Sequence, residues 1–314
     1  MDKIKKYLEG VPIYVINGIT ILSFASVPIS FIIQAILIWL EKIDGFQFNI
    51  IWTVVFISIV CVSLLKIRKY HSLLFNRMDV VSSGFSSFLK SSQDVYFEIM
   101  KAHKDNTLTL ELLRKTYKSE LENILDNLSN IMKSYTGRDV SACIKIINYN
   151  KSKNPNNIID LNNATVSTLC RSKNSQGRGQ YEVANRPIYI KDNTDFREIV
   201  DETINTGKPY FYVKNLKEYD DLLKKSNRKY QNTNDDYANF YLGTIVMPIR
   251  IETEKVYNIS KSATYDIIGF LCVDSLATDA FLPKQEVFNC NIVRAFADNI
   301  YVLLGQYAHY LKDF

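Results

Sequence analysis

The stretch that most restricts this chain is Val11 to Leu40, VPIYVINGITILSFASVPISFIIQAILIWL, which carries no Asp, Glu, Lys or Arg. A bilayer core takes about 20 apolar residues in helix, so a longer charge-free run is expected to span one. Pro28 would kink that helix, because it removes a backbone donor and crowds the preceding turn. A second apolar run, Ile50 to Leu65, follows the short connection EKIDGFQFN, with Trp39 and Trp52 at the positions of interfacial aromatics. Lys3, Lys5 and Lys6 precede the first run, and Lys66, Arg68, Lys69 and Arg77 follow the second. The positive-inside rule then places both ends in the cytoplasm. A cleaved signal peptide does not fit, because the apolar part is too long and a second run follows it. The expectation is a two-helix transmembrane region over residues 1–67, in the inner (plasma) membrane. Asn17, Ser23, Ser30 and Gln34 would face other helices rather than lipid. They would serve either as contacts between helices or as the lining of a pore built from several subunits.

The rest of the chain narrows the function classes. The net charge of +5 is spread along the sequence, so no basic footprint for nucleic acid stands out. The five cysteines, Cys61, Cys143, Cys170, Cys272 and Cys290, form no CxxC pair and are odd in number. That pattern points to reduced thiols rather than a disulfide framework or a zinc site. His71, His103 and His309 are too dispersed for a metal cluster. There is no GxSxG, HExxH, P-loop or kinase motif, and the Gly177–Gly179 GRG lacks the strand and helix that dinucleotide binding requires. The reading is of a protein that is not an enzyme and needs no cofactor.

Two helices are expected next. From Lys66 to about His103, Val81, Phe85, Phe88, Val95 and Ile99 fall near a 3–4 spacing. KDNT breaks the pattern, with Asn106 or Thr107 as N-cap of the following helix. In that helix Leu113, Tyr117, Leu121, Ile124, Leu128, Ile131 and Tyr135 repeat at heptad-like intervals until Gly137. The stripe suits a dimer seam or packing on the sheet of its own domain. Residues 68–112 are taken as a helical linker and 113–314 as a separate domain.

After Gly137 the period changes. VSACIKIINY and ATVSTLCRS read as a hairpin. NTDFREIVDETINTGKPYFYVKNL reads as a capped helix, a Gly-Lys-Pro stop and a short strand. Residues 214–239 are polar and tyrosine-rich, as in a partly helical lid. LGTIVMPIRI and IIGFLCVDS are further strands, and Lys284 to Tyr310 is a closing helix. The order implies an α+β domain with an antiparallel sheet and helices packed on it. Three of these segments, INTGKPYFYVKNL, GTIVMPI and IIGFLCVDS with the helix after Phe281, resemble the corresponding segments of GAF domains in the same order. The resemblance covers roughly residues 116–314 and implies a cytosolic GAF-like sensor that holds a small ligand between sheet and helices, or serves for dimerisation.

Site residues follow from this. Arg171 and Arg178 can clamp a phosphate or carboxylate. Asn193, Asp195 and Phe196 start a helix whose free N–H groups attract anions; the simpler role for Asn193 or Asp195 is that of the N-cap. Tyr241, with Tyr210, Tyr212 and Tyr237, can stack on a base, and Asp274 can bind a ligand or cap the turn after its strand. The function expected from the sequence is a membrane-anchored sensor. It would bind a small ligand, a nucleotide among the possibilities, or a partner in the cytosol, and transmit that binding to its membrane helices, as in an oligomeric effector of bacterial anti-phage type. The alternative is a membrane-tethered dimerisation scaffold that relays to a separate output protein.

Overall fold

The computed structural model describes residues 45–148, 163–175, 187–204, 209–251 and 266–314. The chain divides into two units, Met1–Asp79 and Val80–Phe314. In the first unit the described residues belong to the start of helix α1 (Gly45–Lys104). Ile50–Leu65 lies in this helix, and several of its apolar side chains, Ile57, Leu64 and Leu65 among them, are exposed.

The membrane expectation is corrected here. Among the described residues no helix is long and apolar enough to cross a membrane. The physical reason is length: Ile50–Leu65 would reach about 24 Å in a helix, short of the roughly 30 Å hydrocarbon core, and it runs straight into Lys66, Arg68 and Lys69. The first apolar run, Val11–Leu40, lies outside the described residues. The transmembrane fold class and the integral inner-membrane location are both overturned by the same finding.

The second unit is the expected α+β domain. The end of α1 is followed by α2 (Leu110–Thr136), β1 (Ser141–Ile147), β2 (Thr165–Arg171), β3 (Ile188–Tyr189), α3 (Thr194–Ile204), β4 (Phe211–Val213), α4 (Leu216–Lys224), β5 (Gly243–Ile251), β6 (Asp266–Ser275) and α5 (Glu286–Tyr310). The N-cap of α2 is Thr109, not Asn106 or Thr107. Its hydroxyl accepts from Leu112 N at 3.1 Å, while Asn106 takes a left-handed φ of 53° in the turn before it. Gly137 closes α2 in the left-handed conformation at φ 71°, which glycine adopts without a Cβ penalty.

The strands form a six-stranded sheet in the order β3-β2-β1-β6-β5-β4, with antiparallel neighbours throughout. Alternation along each strand gives the sheet two buried faces. One face presents Ala142, Ile144, Ile245, Met247, Leu271 and Val273 to α2, α5 and the end of α1. The stripe of α2 from Leu113 to Ile131 is spent here, in the core of its own domain. Phe88 of α1 stacks on Phe296 of α5 at 4.5 Å. The other face presents Cys143, Ile147, Val166, Phe211, Val246, Phe270 and Cys272 to α3, α4 and Tyr230.

The central pair, β1 and β6, leaves no room for a side chain at Gly269, which sits opposite Ile146. A Cβ there would collide with the Lys145 carbonyl. Gly269→Ala is expected to destabilise the domain by about 3 kcal/mol through overpacking of the backbone. The check is the urea unfolding midpoint, which should fall with the slope unchanged.

Candidate functional site

The lid-side face of the sheet has a polar centre that strand register builds row by row. Arg171, Cys143, Cys272, Val246 and Phe211 are successive cross-strand partners in one row. Ser141, Asp274, Thr244 and Val213 form the row on one side, and Thr168, Lys145, Phe270 and Pro248 the row on the other. Lys145 Nζ donates to Thr168 Oγ1 at 3.2 Å, and the Arg171 guanidinium reaches the same hydroxyl at 3.5 Å. Asp274, 8% exposed, accepts from the Thr244 hydroxyl at 2.7 Å. Two cations and a buried carboxylate thus share the middle of an otherwise apolar face.

Helix α3 adds a second buried carboxyl. Asp195 is 5% exposed and its Oδ1 accepts from Phe196 N at 2.9 Å. Burial pushes its pKa up to about 7; the charge of Asp274 adds to the rise, while the Phe196 N–H and Lys145 oppose it. Phe196 itself stacks on Phe270 at 4.7 Å and is part of the apolar floor.

The segment after α4 covers this face. Tyr230 packs edge-on to Tyr237 at 5.1 Å, and Tyr237 lies 5.9 Å from Tyr241. Asn232 Nδ2 donates to the Tyr241 hydroxyl at 2.7 Å. Burial, reinforced by the nearby Asp195, holds the hydroxyls of Tyr230 and Tyr241 well above the usual phenol range. The segment is fastened to the start of α3. Thr194 N donates to Gln231 O at 2.9 Å, and Gln231 N donates to the Thr194 hydroxyl at 2.8 Å. Asn193 closes the seam, donating to Tyr189 O and Thr233 Oγ1 and accepting from Thr233 N. A cleft of about 520 Å³ opens beside this seam, bounded by Tyr189, Asp192, Tyr230, Asn232, Thr233 and Tyr237.

The sequence-predicted residues therefore divide. Asp195, Asp274, Tyr241 and Arg171 converge on the lid-side face, with Phe196 beneath them. Asn193 sits at the seam and its amide is committed to the lid. Arg178 lies outside the described residues. Of the other tyrosines, Tyr210 and Tyr212 bond to the region of α5, through Glu286 and Leu282 O respectively. Sequence reading missed Lys145, Cys143, Cys272, Tyr230 and Asn232. Alternation in VSACIKIINY puts Cys143 and Lys145 on one face, but the pairing of β1 with the distant β6 carries no local signal.

No protein-family model and no curated protein matches this chain. Among solved structures it is similar to a type II free methionine-R-sulfoxide reductase from Thermoplasma acidophilum, at 12% identity and TM-score 0.34, over 61% of this chain and 96% of that one. It is also similar to the GAF domain of an Acinetobacter phosphoenolpyruvate-protein phosphotransferase, at 12% identity and TM-score 0.32, over 68% and 91%. A third is the GAF domain of the corresponding protein from Coxiella burnetii, at 13% identity and TM-score 0.34, over 70% and 96%.

The buried carboxyl of α3 sets a pH dependence. Asp195 keeps its proton in the folded state up to about pH 7, whereas an unfolded Asp ionises near pH 3.9. Between these values the folded chain holds more protons, so this group's stabilisation is whole below about pH 4 and is lost as pH rises to about 7. Asp195→Asn removes the titration. Unfolding free energies from urea titrations between pH 4 and pH 8 should decline less in the variant, by an amount of order a few kcal/mol.

Proposed function

We propose that the α+β domain is a GAF-like ligand sensor whose site is the lid-side face of the sheet, and that it binds without catalysis. The observation that carries this is the polar pattern under the lid: the Asp274 carboxylate and the buried Asp195 carboxyl with Lys145 and Arg171, set among apolar side chains. Burying charges is costly unless partners are supplied, and this face supplies both signs at once. It suits a small molecule with an ammonium group for the carboxyls and an anionic group for the cations. The cleft at the seam is the way in, and Tyr230 and Asn232 link it to Tyr241 inside. Strands β1 and β6 present alternate residues to both faces, so a ligand seated against Cys272 and Asp274 bears on the packing of Leu271 and Val273 under α2 and α5. That is the proposed path from ligand to the helical layer that includes the end of α1.

The test is thermal unfolding of the full chain with millimolar L-amino acids, and with acetate and methylamine as single-charge probes. Ligand at about a hundred times its Kd adds ~2.7 kcal/mol, a rise of a few degrees in Tm. A zwitterion is expected to produce that rise when neither single-charge probe does, with Asp274→Asn and Lys145→Met abolishing it. Native mass spectrometry of the chain from its own host supplies the complement. A ligand-free chain that no zwitterion stabilises would sink the reading, and clean dimers in the same spectra would favour an assembly module instead.

A further inference from the structure

Cys143 and Cys272 occupy directly opposed positions on the two central strands, and both side chains enter the lid-side core. Opposed residues in an antiparallel pair have Cα atoms about 4.5 or 5.5 Å apart, inside the roughly 4.4–6.8 Å that a disulfide spans. Cys170 points to the opposite core, Cys290 is on α5, and Cys61 is exposed on α1. Within this face the two thiols therefore have each other as sulfur partners. Two buried thiols can be inert packing, but the surroundings of this pair differ from packing. Arg171 is the partner of Cys143 on its other side, and Lys145 follows two residues along the same strand. Cys272 beside it holds the Cys143 thiol below the ordinary range, with Lys145 and Arg171 adding to the effect and burial and Asp274 opposing it. Cys272 is correspondingly held well above that range. Each thiol is only 4% exposed, so it is their direct opposition across the central strands that singles out this dithiol.

We propose that Cys143 and Cys272 form a reversible dithiol–disulfide pair that responds to peroxide and gives the domain a second input beyond its ligand. The Cys143 thiolate attacks one peroxide oxygen; an S–O bond forms, the O–O bond breaks, and the departing hydroxide takes a proton to leave as water. Sulfur is oxidised to the sulfenic acid and the peroxide is reduced. Cys272 then attacks that sulfur; the S–S bond forms, the S–O bond breaks, and hydroxide leaves as water with the proton of Cys272. Two thiols and one hydrogen peroxide give one disulfide and two waters. The bond ties β1 to β6 beside Asp274 on the floor of the site.

The experiment treats the full chain with hydrogen peroxide, quenches in acid, alkylates free thiols under denaturing conditions and maps the peptides. The expected result is a peptide pair joined through Cys143 and Cys272, with loss of two hydrogens and of two alkylation sites, reversed by dithiothreitol. Cys170→Ser should leave the pairing intact, while Cys143→Ser and Cys272→Ser should each abolish it. In Cys272→Ser, dimedone should label Cys143. The wild-type map decides the matter even if a serine variant folds poorly. The proposal fails if Cys143 and Cys272 stay fully alkylatable at peroxide doses that oxidise exposed Cys61, or if the bond recovered joins Cys170 instead. No ligand is present in this assay, so its outcome is independent of the zwitterion test.

Discussion

The pairing of β1 with β6 is the constraint on which the domain rests. The two strands lie at the centre of the sheet and join segments separated by more than the length of most helices and hairpins in the chain. Their register decides which residues reach each core, because a slip by one residue would exchange the two faces. With Ser141 opposite Asp274 and Ile144 opposite Leu271, the aliphatic set meets α2 and α5, and the thiols, Lys145 and Asp274 meet the lid. The close approach at Gly269 fixes that register, since only a residue without a side chain fits against the Lys145 carbonyl. Helical packing and site chemistry are therefore two sides of one strand pair.

Much of this architecture was legible in local pattern. The stripe on α2 announced a helix with one apolar face, and IIGFLCVDS announced a strand buried on both sides. The stripe could not say what it would pack on, since a seam between chains and a layer on a sheet need the same spacing. The apolar run in α1 misled for a related reason. Hydropathy reports what a side chain avoids, and Ile50–Leu65 is apolar without being long enough to cross a bilayer. For the site, Asp274 stood out at the end of an apolar strand, Asp195 at the start of a helix and Tyr241 among the tyrosines around the lid. Lys145 and the two cysteines did not, because their meaning depends on a partner strand more than a hundred residues away.

The electrostatics of the lid-side face follow from where water is excluded. Burial raises the pKa of Asp195 to about 7, and the charge of Asp274 adds to the rise. Lys145, on β1, opposes that rise. Groups perturbed in this way gather where proteins handle ligands.

The seam between the lid and α3 has a kinetic meaning. Thr194, Gln231, Asn193 and Thr233 exchange hydrogen bonds in both directions across it, so raising the covering segment exposes the first backbone groups of α3 at the same moment. Lifting and fraying are one cooperative event, a local opening unit in the sense used for hydrogen exchange. A molecule that must pass beneath Tyr241 would then arrive at a rate set by this unlatching rather than by diffusion. Its residence time would be governed by the same hydrogen bonds.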